Sequence, residues 1–484
     1  HFVGCTLLLL KKTKVKDRFQ DWMPDDGKVY GDQRKLLPIK CVHEMQEVVG
    51  REVMTSFLRD DNGKVNDEFL LGKLSIAPME SAALFEFFGH MKNLQFLLIF
   101  DCLLEESAYL GLANLLKKEN KIKALEIYHC RASDDTAKHV IDALKNENCK
   151  LTHLNLPKNN LTAESARFLR DALKSGNCKL TQLVLNENIL TSAAVEPLCE
   201  ALISGKCKLT KLSLSGNPLR LLAALFLRDA LKNGNCKLTE LHLNENELTD
   251  AGVKYLSEAL MSGDCKLTKL FLRDNELSPT AAKYFRDALK SGNCKLAELN
   301  LDDNKLTDAG VKFLSEALMS GECKLTKLSL SGNPLRHVAA LFLGDALKNR
   351  NCKLTELHLN ENELIDAGVE YLSEALMSGE SKLTKLSLDG NRLSDAAAEC
   401  LRKVLKSGNC KLTELHLNDN ELTDAGVEYL SEALMSGECK RTKLSLSVNG
   451  LSFKAATYLR DALKSGNCEL TELNLNDNQL TDAG

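Results

Sequence analysis

The chain has 484 residues, with 63 Lys plus Arg against 67 Asp plus Glu and a formal charge of −4. That near balance argues against nucleic acid or an anionic membrane as the main partner. The aliphatic run Leu7 to Leu10 is followed at once by Lys11 and Lys12, far short of the roughly 20 apolar residues that span a bilayer, so no membrane span is expected.

The first 90 residues read differently from the rest. They hold Trp22, Pro24 and Pro38, and apolar residues at helical spacing through Val42, Met45, Val48, Val49 and Val53, which predicts a helical segment over 1–90. The sequence starts with His1, shows no secretory signal, and is expected to continue upstream. Leu71, Leu74 and Ile76 have the spacing of a repeat start, and clearer starts follow at Leu94, Leu97 and Ile99 and at Ile122, Leu125 and Ile127.

From Cys149 the sequence becomes strictly periodic. Eleven cysteines recur every 29 residues, at 149, 178, 207, 236, 265, 294, 323, 352, 410, 439 and 468, with Ser381 in the gap. The chain has 17 cysteines, yet a periodic column in which serine substitutes predicts buried free thiols in a reducing compartment rather than disulfides. No C-x-x-C pair is present to suggest a metal. Each unit opens like Leu238 to Leu243, where apolar residues alternate as in a short strand with one buried face. An Asn closes it, at 159, 188, 217, 246 and onward to 478, and one Asn per turn predicts a side-chain ladder to the backbone. Val253, Leu256, Ala259 and Leu260 then fall on one helical face, with Thr249 as the expected N-cap and Ser278-Pro279 as the corresponding start one repeat later.

Such units cannot bury their apolar faces alone and must stack. Strands spaced about 4.8 Å apart and helices about 9 Å apart force roughly 24° of bend per repeat. The expected fold class is α/β: a solenoid of about 14 repeats over 91–484, with a concave parallel sheet and convex helices in a horseshoe. The last residues, Thr481 to Gly484, fall within a helix of the twelfth regular repeat, so the chain is expected to continue downstream as well.

Two repeat types alternate, one carrying Arg-Asp-Ala-Leu-Lys (Arg286 to Lys290) and the other Leu-Ser-Glu-Ala-Leu (Leu256 to Leu260), which gives a superperiod of 58. On the face expected to be concave this alternation reads Lys211, Glu240, Lys269, Glu298, Lys327 and onward to Glu472. A cross-strand ladder of opposite charges is the structural reading of that column. The next outward column holds His242, His358 and His416 and a single Phe, Phe271, flanked by Arg273 and Asp274. An exposed aromatic beside an arginine has hot-spot character. The candidate partner-binding residues are therefore Phe271, Arg273, Asp274, His242, Lys269, Glu240 and Asp302.

The chain lacks the P-loop, G-x-S-x-G, H-E-x-x-H and kinase phrases, so a non-catalytic role is expected, with no catalytic or metal residues and no cofactor in this chain. The repeat phrase L-x-x-L-x-L-x-x-N-x-L, with Leu-Thr-Asp-Ala-Gly-Val in its helix, resembles leucine-rich repeats of the ribonuclease-inhibitor-like class. Leu36-Leu37-Pro38-Ile39-Lys40-Cys41-Val42-His43-Glu44-Met45-Gln46-Glu47 resembles the segment joining the NACHT nucleotide-binding module to the repeats in NOD-like receptors, the intracellular innate-immune sensors, and His1 to Leu10 is similar to the preceding helix. The resemblance implies a cytoplasmic protein with an upstream ATP- or ADP-binding module. Its repeats would restrain that module and engage a protein or pathogen-derived ligand. Two alternatives share the repeat type: a stand-alone inhibitor or scaffold of ribonuclease-inhibitor type, and a GTPase-activating repeat protein.

Overall fold

The computed structural model describes residues 68–480 except 73–74, 77, 92 and 439–442. Each repeat follows from its apolar pattern. In the strand Glu240–His242, Leu241 points inward and is fully buried, and Leu238, Leu243 and Leu248 bracket it in the core. The helix Thr249–Leu260 returns along the other side and presses Val253, Leu256, Ala259 and Leu260 onto those leucines. Burying each large aliphatic side chain contributes roughly 1.5–3 kcal/mol, so stacking of identical cores supplies most of the stability.

The chain divides into two compact units. The first comprises residues 1–219 with 234–238. Its main strands are Glu68–Gly72, Phe96–Phe100, Ala124–Tyr128, His153–Asn155, Gln182–Val184 and Lys211–Ser213, each parallel to the next. The second comprises 220–233 with 239–484 and carries nine parallel strands from Glu240–His242 to Glu472–Asn474. Pairing in the second unit keeps a constant offset of one repeat, as in Lys269↔Glu240 and Lys269↔Glu298. Within each unit every equivalent side chain therefore stands beside its counterpart.

The sheet begins earlier than a boundary at residue 90 anticipates. Strand Glu68–Gly72 pairs with Phe96–Phe100, and helix Pro78–His90 follows it. Phe69, Phe85 and Phe88 fill the interior, with the Phe69 and Phe88 rings 4.9 Å apart edge to face, so aromatic rings substitute here for the leucines that mark later repeats. The rest of the expected helical segment, including Trp22 and Leu36 to Glu47, lies outside the described residues.

The Asn ladder closes the turns. Asn304 Oδ1 accepts from the Asn275 and Leu277 amides at 3.0 and 2.9 Å, while its Nδ2 donates to the Leu272 and Leu301 carbonyls at 3.0 Å each. One side chain thus satisfies four buried backbone groups in two repeats. In the early repeats cysteine stands in: Cys130 Sγ donates to the Ile99 and Tyr128 carbonyls at 3.6 and 3.3 Å. The periodic cysteine column is buried from Cys149 to Cys352, and Ser381 is equally buried; Cys410 and Cys468 are half-buried, and Cys439 lies outside the described residues. Burial pushes the Cys178 and Cys294 thiols up to about 11.

Helix starts use a further inter-repeat bond. Ser278 caps its helix by accepting from the Thr280 amide, with Pro279 in the first turn, and donates its own hydroxyl to Asp250 of the preceding helix. Thr249 is not the N-cap that the sequence leads one to expect. It is the first helical residue and sits in the left-handed region at φ 57°, with its N–H given to the Asn275 carbonyl; Thr423, with extended backbone, does cap the equivalent helix. The superperiod is explained by the outer layer. Arg286 reaches Glu316 of the next helix at 3.3 Å and lies 5.0 Å over the Phe313 ring. Arg402 repeats this with Glu432 at 2.7 Å and Tyr429 at 5.0 Å.

Candidate functional site

The strands of the second unit present two rows of side chains on the face away from the helices. In the first row, lysines and glutamates alternate and pair across strands. Lys269 lies 3.9 Å from Glu240 and 3.3 Å from Glu298; Lys327 lies 3.0 Å from Glu298 and 3.6 Å from Glu356. Lys385–Glu414 at 3.1 Å and Lys443–Glu472 at 3.0 Å continue the pattern. Burial lowers the Lys327 pKa, but its hydrogen bonds and charge pairing with Glu298 and Glu356 outweigh that and hold it above the usual range. The Lys385 hydrogen bond holds Glu414 below the usual carboxylate range. Each lysine of the row is thereby paired with a glutamate on a neighbouring strand, so this row positions the sheet.

The second row differs from expectation at its aromatic residue. Phe271 is half-buried, because its ring lies flat on His242, with centroids 4.1 Å apart and planes 7° from parallel. In-register parallel strands lie about 4.8 Å apart, a spacing that brings same-row rings into stacking contact. His242 Nε2 in turn lies 2.7 Å from Glu240 Oε1. Arg273 does not stand free beside the ring. Its guanidinium pairs with Asp303, and its backbone N–H donates to Asn244 Oδ1 at 2.9 Å. Asp274 is exposed in a left-handed turn at φ 50°, with its N–H on the Asp302 carbonyl.

Asp302 has a structural job. Its Oδ1 accepts from Ser329 Oγ and from the Ser331 amide, both at 2.7 Å, while Oδ2 accepts from Asn300 Nδ2 at 2.7 Å. Asn418 makes the same pair of bonds to Ser445 and Ser447 at 2.6 and 2.8 Å. A second inter-repeat ladder therefore runs along the strand ends, and Asp302 carries a charge where an amide does the same work.

Sequence reasoning missed the feature that shapes this face. The segment Ser329-Leu330-Ser331-Gly332 has short outward side chains, and it lies between Asn300-Leu301-Asp302-Asp303 and His358-Leu359-Asn360-Glu361. The result is a pair of shallow dips that share Ser329 and His358. One, of about 230 Å³, is lined by Phe271, Glu298, Asn300 and Lys327. The other, of about 200 Å³, is lined by Arg273, Asp302, Asp303, Ser331 and Glu361. Gly332, at φ 64°, is required there, since a Cβ would overlap Asp303. His358 forms the shared wall, with Nε2 buried, without a hydrogen-bond partner and 3.7 Å from Glu356. Burial, then the charges of Lys327 and Lys385, hold its imidazole below the ordinary value of 6.5. The dips thus combine an aromatic wall, an imidazole held below its ordinary pKa and an acidic end.

Repeated strand–helix units with a shared parallel sheet define a solenoid of the α/β class. Seven segments match the Leucine Rich repeat family model, at residues 147–169, 234–257, 292–315, 350–373, 380–401, 408–431 and 466–484. The molecule is a leucine-rich-repeat solenoid, and repeats of this family imply a protein-binding role. No curated protein matches the chain by sequence. Among solved structures it is similar to an internalin, inlF, from Listeria monocytogenes, at 18% identity over 91% of this chain and 94% of that one, with a TM-score of 0.42. It is also similar to a chain of the TLR13–ssRNA13 complex, at 18% identity over 84% of this chain and 65% of that one, TM-score 0.37. A chain of the yeast Rad7–Elc1 complex is similar at 17% identity over 84% and 90%, TM-score 0.47. No helix among the described residues is long and apolar enough to cross a membrane.

Proposed function

We propose that this chain is the protein-binding, regulatory repeat region of an intracellular NOD-like receptor. It engages a protein or pathogen-derived ligand through the open face of its sheet and restrains an upstream nucleotide-binding module. The observation that carries the binding half of this reading is the double dip walled by Phe271, Lys327 and His358, where an otherwise charge-neutralised sheet face becomes concave, aromatic and acidic in one place. The receptor half is supported by the segment Leu36 to Glu47 and its resemblance to the NACHT-to-repeat connection. The nucleotide, ATP or ADP, belongs to the upstream module; this chain's own contribution is surface.

Extending the reading frame upstream tests the receptor assignment. A G-x-x-x-x-G-K-[ST] phrase placed between a strand and a helix within several hundred residues is expected. A frame that opens close to residue 1 with no such phrase would favour the stand-alone inhibitor instead.

A further inference from the structure

The near-zero net charge conceals a separation of charge across the second unit. Because its strands are all parallel and each is followed by a helix that returns behind the sheet, the turns leaving the strands line one edge and the turns entering them line the opposite edge. The strand-end edge carries Asn-Glu-Asn-Glu at 244–247 and 360–363, Asn-Asp-Asn-Glu at 418–421 and Asp-Asp-Asn-Lys at 302–305. The strand-start edge carries Lys-Ser-Gly-Asn-Cys-Lys at 290–295 and 406–411 and Lys-Asn-Arg-Asn-Cys-Lys at 348–353. The intervening turns at 261–266, 319–324 and 377–382 each pair one acid with one base and leave that balance unchanged.

The lysines are held in place along their edge. Lys295 Nζ donates to the Gly263 carbonyl at 3.0 Å, Lys353 Nζ to the Gly321 carbonyl at 3.3 Å and Lys411 Nζ to the Gly379 carbonyl at 3.3 Å. A carbonyl fixes an ammonium without cancelling its charge. On the strand-end edge Arg220, Arg273, Lys305 and Arg336 pair with Glu247, Asp303, Glu276 and Glu363 and leave an acidic excess. Like-charged turns two repeats apart lie about 10 Å from one another, close to the Debye length of about 8 Å at physiological salt, so each edge acts as a line of one net sign. Neither line alone names a ligand. Together they do, because both repeat at the same 58-residue period and have opposite net sign, so each is a template for the other.

We propose that the acidic strand-end edge of one molecule docks against the basic strand-start edge of a second copy of this chain. The two edges are different surfaces, so the contact is heterologous and has no reason to close into a two-fold dimer. It generates side-by-side, open-ended stacks held by charge. The inference is independent of what the sheet face binds.

Sedimentation velocity of the whole chain over a concentration series, in about 25 mM and about 500 mM NaCl, reads the prediction directly. Mean mass should climb with concentration at low salt and return to monomer at high salt. Monomer at every concentration in both buffers, or association indifferent to salt, overturns the proposal without any variant. Reversing the acidic edge (Glu245→Lys, Glu247→Lys, Glu361→Lys, Glu363→Lys, Asp419→Lys, Glu421→Lys) and, separately, the basic edge (Lys290→Glu, Lys295→Glu, Lys348→Glu, Arg350→Glu, Lys353→Glu, Lys406→Glu, Lys411→Glu) should each leave a monomer at low salt. Mixing the two variants in equal amounts should restore large species, since one then presents two basic edges and the other two acidic ones. Failure of that mixture to assemble, with circular dichroism showing both variants folded, also overturns it.

Discussion

Phe271 and His242 form a parallel ring pair at 4.1 Å, bridging strands whose charged residues are themselves paired. The stack fixes the aromatic wall of the dip from one side. Ring pairs are worth about 0.5–1.5 kcal/mol beyond simple burial. A double-mutant cycle of Phe271→Ala and His242→Ala, read from urea midpoints, should therefore show a coupling in that range. Additive effects would mean that the rings merely share space.

The Asn ladder should be the most costly polar element to break. Asn304→Ala leaves four buried backbone groups without partners, and each lost buried bond costs about 1 kcal/mol or more, so a loss of about 3 kcal/mol or more is expected in chemical denaturation. Asn304→Cys should fall between alanine and the unaltered protein. Cys130 donates to the carbonyl two residues before it and to one in the preceding repeat, as Asn304 does to Asp302 and Leu272, but a thiol is a weak acceptor for the amides that Asn304 Oδ1 serves. Equal losses for both variants would contradict this division of labour.

The cysteine column should resist thiol reagents. Burial, together with thiol pKa values pushed up to about 11 at Cys178 and Cys294, leaves little thiolate at neutral pH. Titration of the native protein should label chiefly the less buried thiols, Cys400, Cys410 and Cys468 among the described residues, while denaturation should expose the column. Rapid native labelling of Cys178 or Cys294, located by peptide mapping, would contradict the burial.

His358 makes stability depend on pH with a definite sign. Its folded-state pKa lies below the ordinary 6.5 because of burial and the flanking Lys327 and Lys385, against smaller opposing effects of Glu356 and Asp302. The unfolded chain binds the proton more readily, so the stabilisation is complete above that ordinary value and is lost as pH falls from it toward the folded value. His358→Gln should therefore lose less thermal stability than the unaltered protein between about pH 7.5 and about pH 5. Identical pH slopes would show that the imidazole is free to protonate in place.

Much of this molecule could be read from periodicity alone, because a repeat that must satisfy its own turns and bury its own strand leaves the same residue type at each period. The Asn column, the cysteine column and the alternation of Lys269 with Glu240 and Glu298 were legible for that reason. What periodicity does not show is the side chain one repeat away in space. Phe271 reads as exposed along the chain and is half-covered by His242 across the sheet; Arg273 reads as free and is paired with Asp303. The repeat start expected at Leu71, Leu74 and Ile76 lies five residues too late, because Phe69 takes the place of a strand leucine and pairs with Leu97 while Leu71 pairs with Ile99. The dips depend on a contrast in side-chain length between neighbouring repeats, which becomes visible once Ser329 to Gly332 are aligned under Asn300 to Asp303 and His358 to Glu361.

The sheet face as the binding surface is tested most directly by the affinity of the full-length protein for the partner that co-purifies with it. Ser329→His fills the dip with a side chain that the same row already holds at His242 and His416. Lys312→Glu alters an exposed position on the helix Thr307–Leu318. The dip variant should bind at least about tenfold more weakly, equivalent to about 1.4 kcal/mol, with the helix variant unchanged. A dip variant that binds as tightly as the unaltered protein, or a helix variant that loses as much, would contradict the assignment.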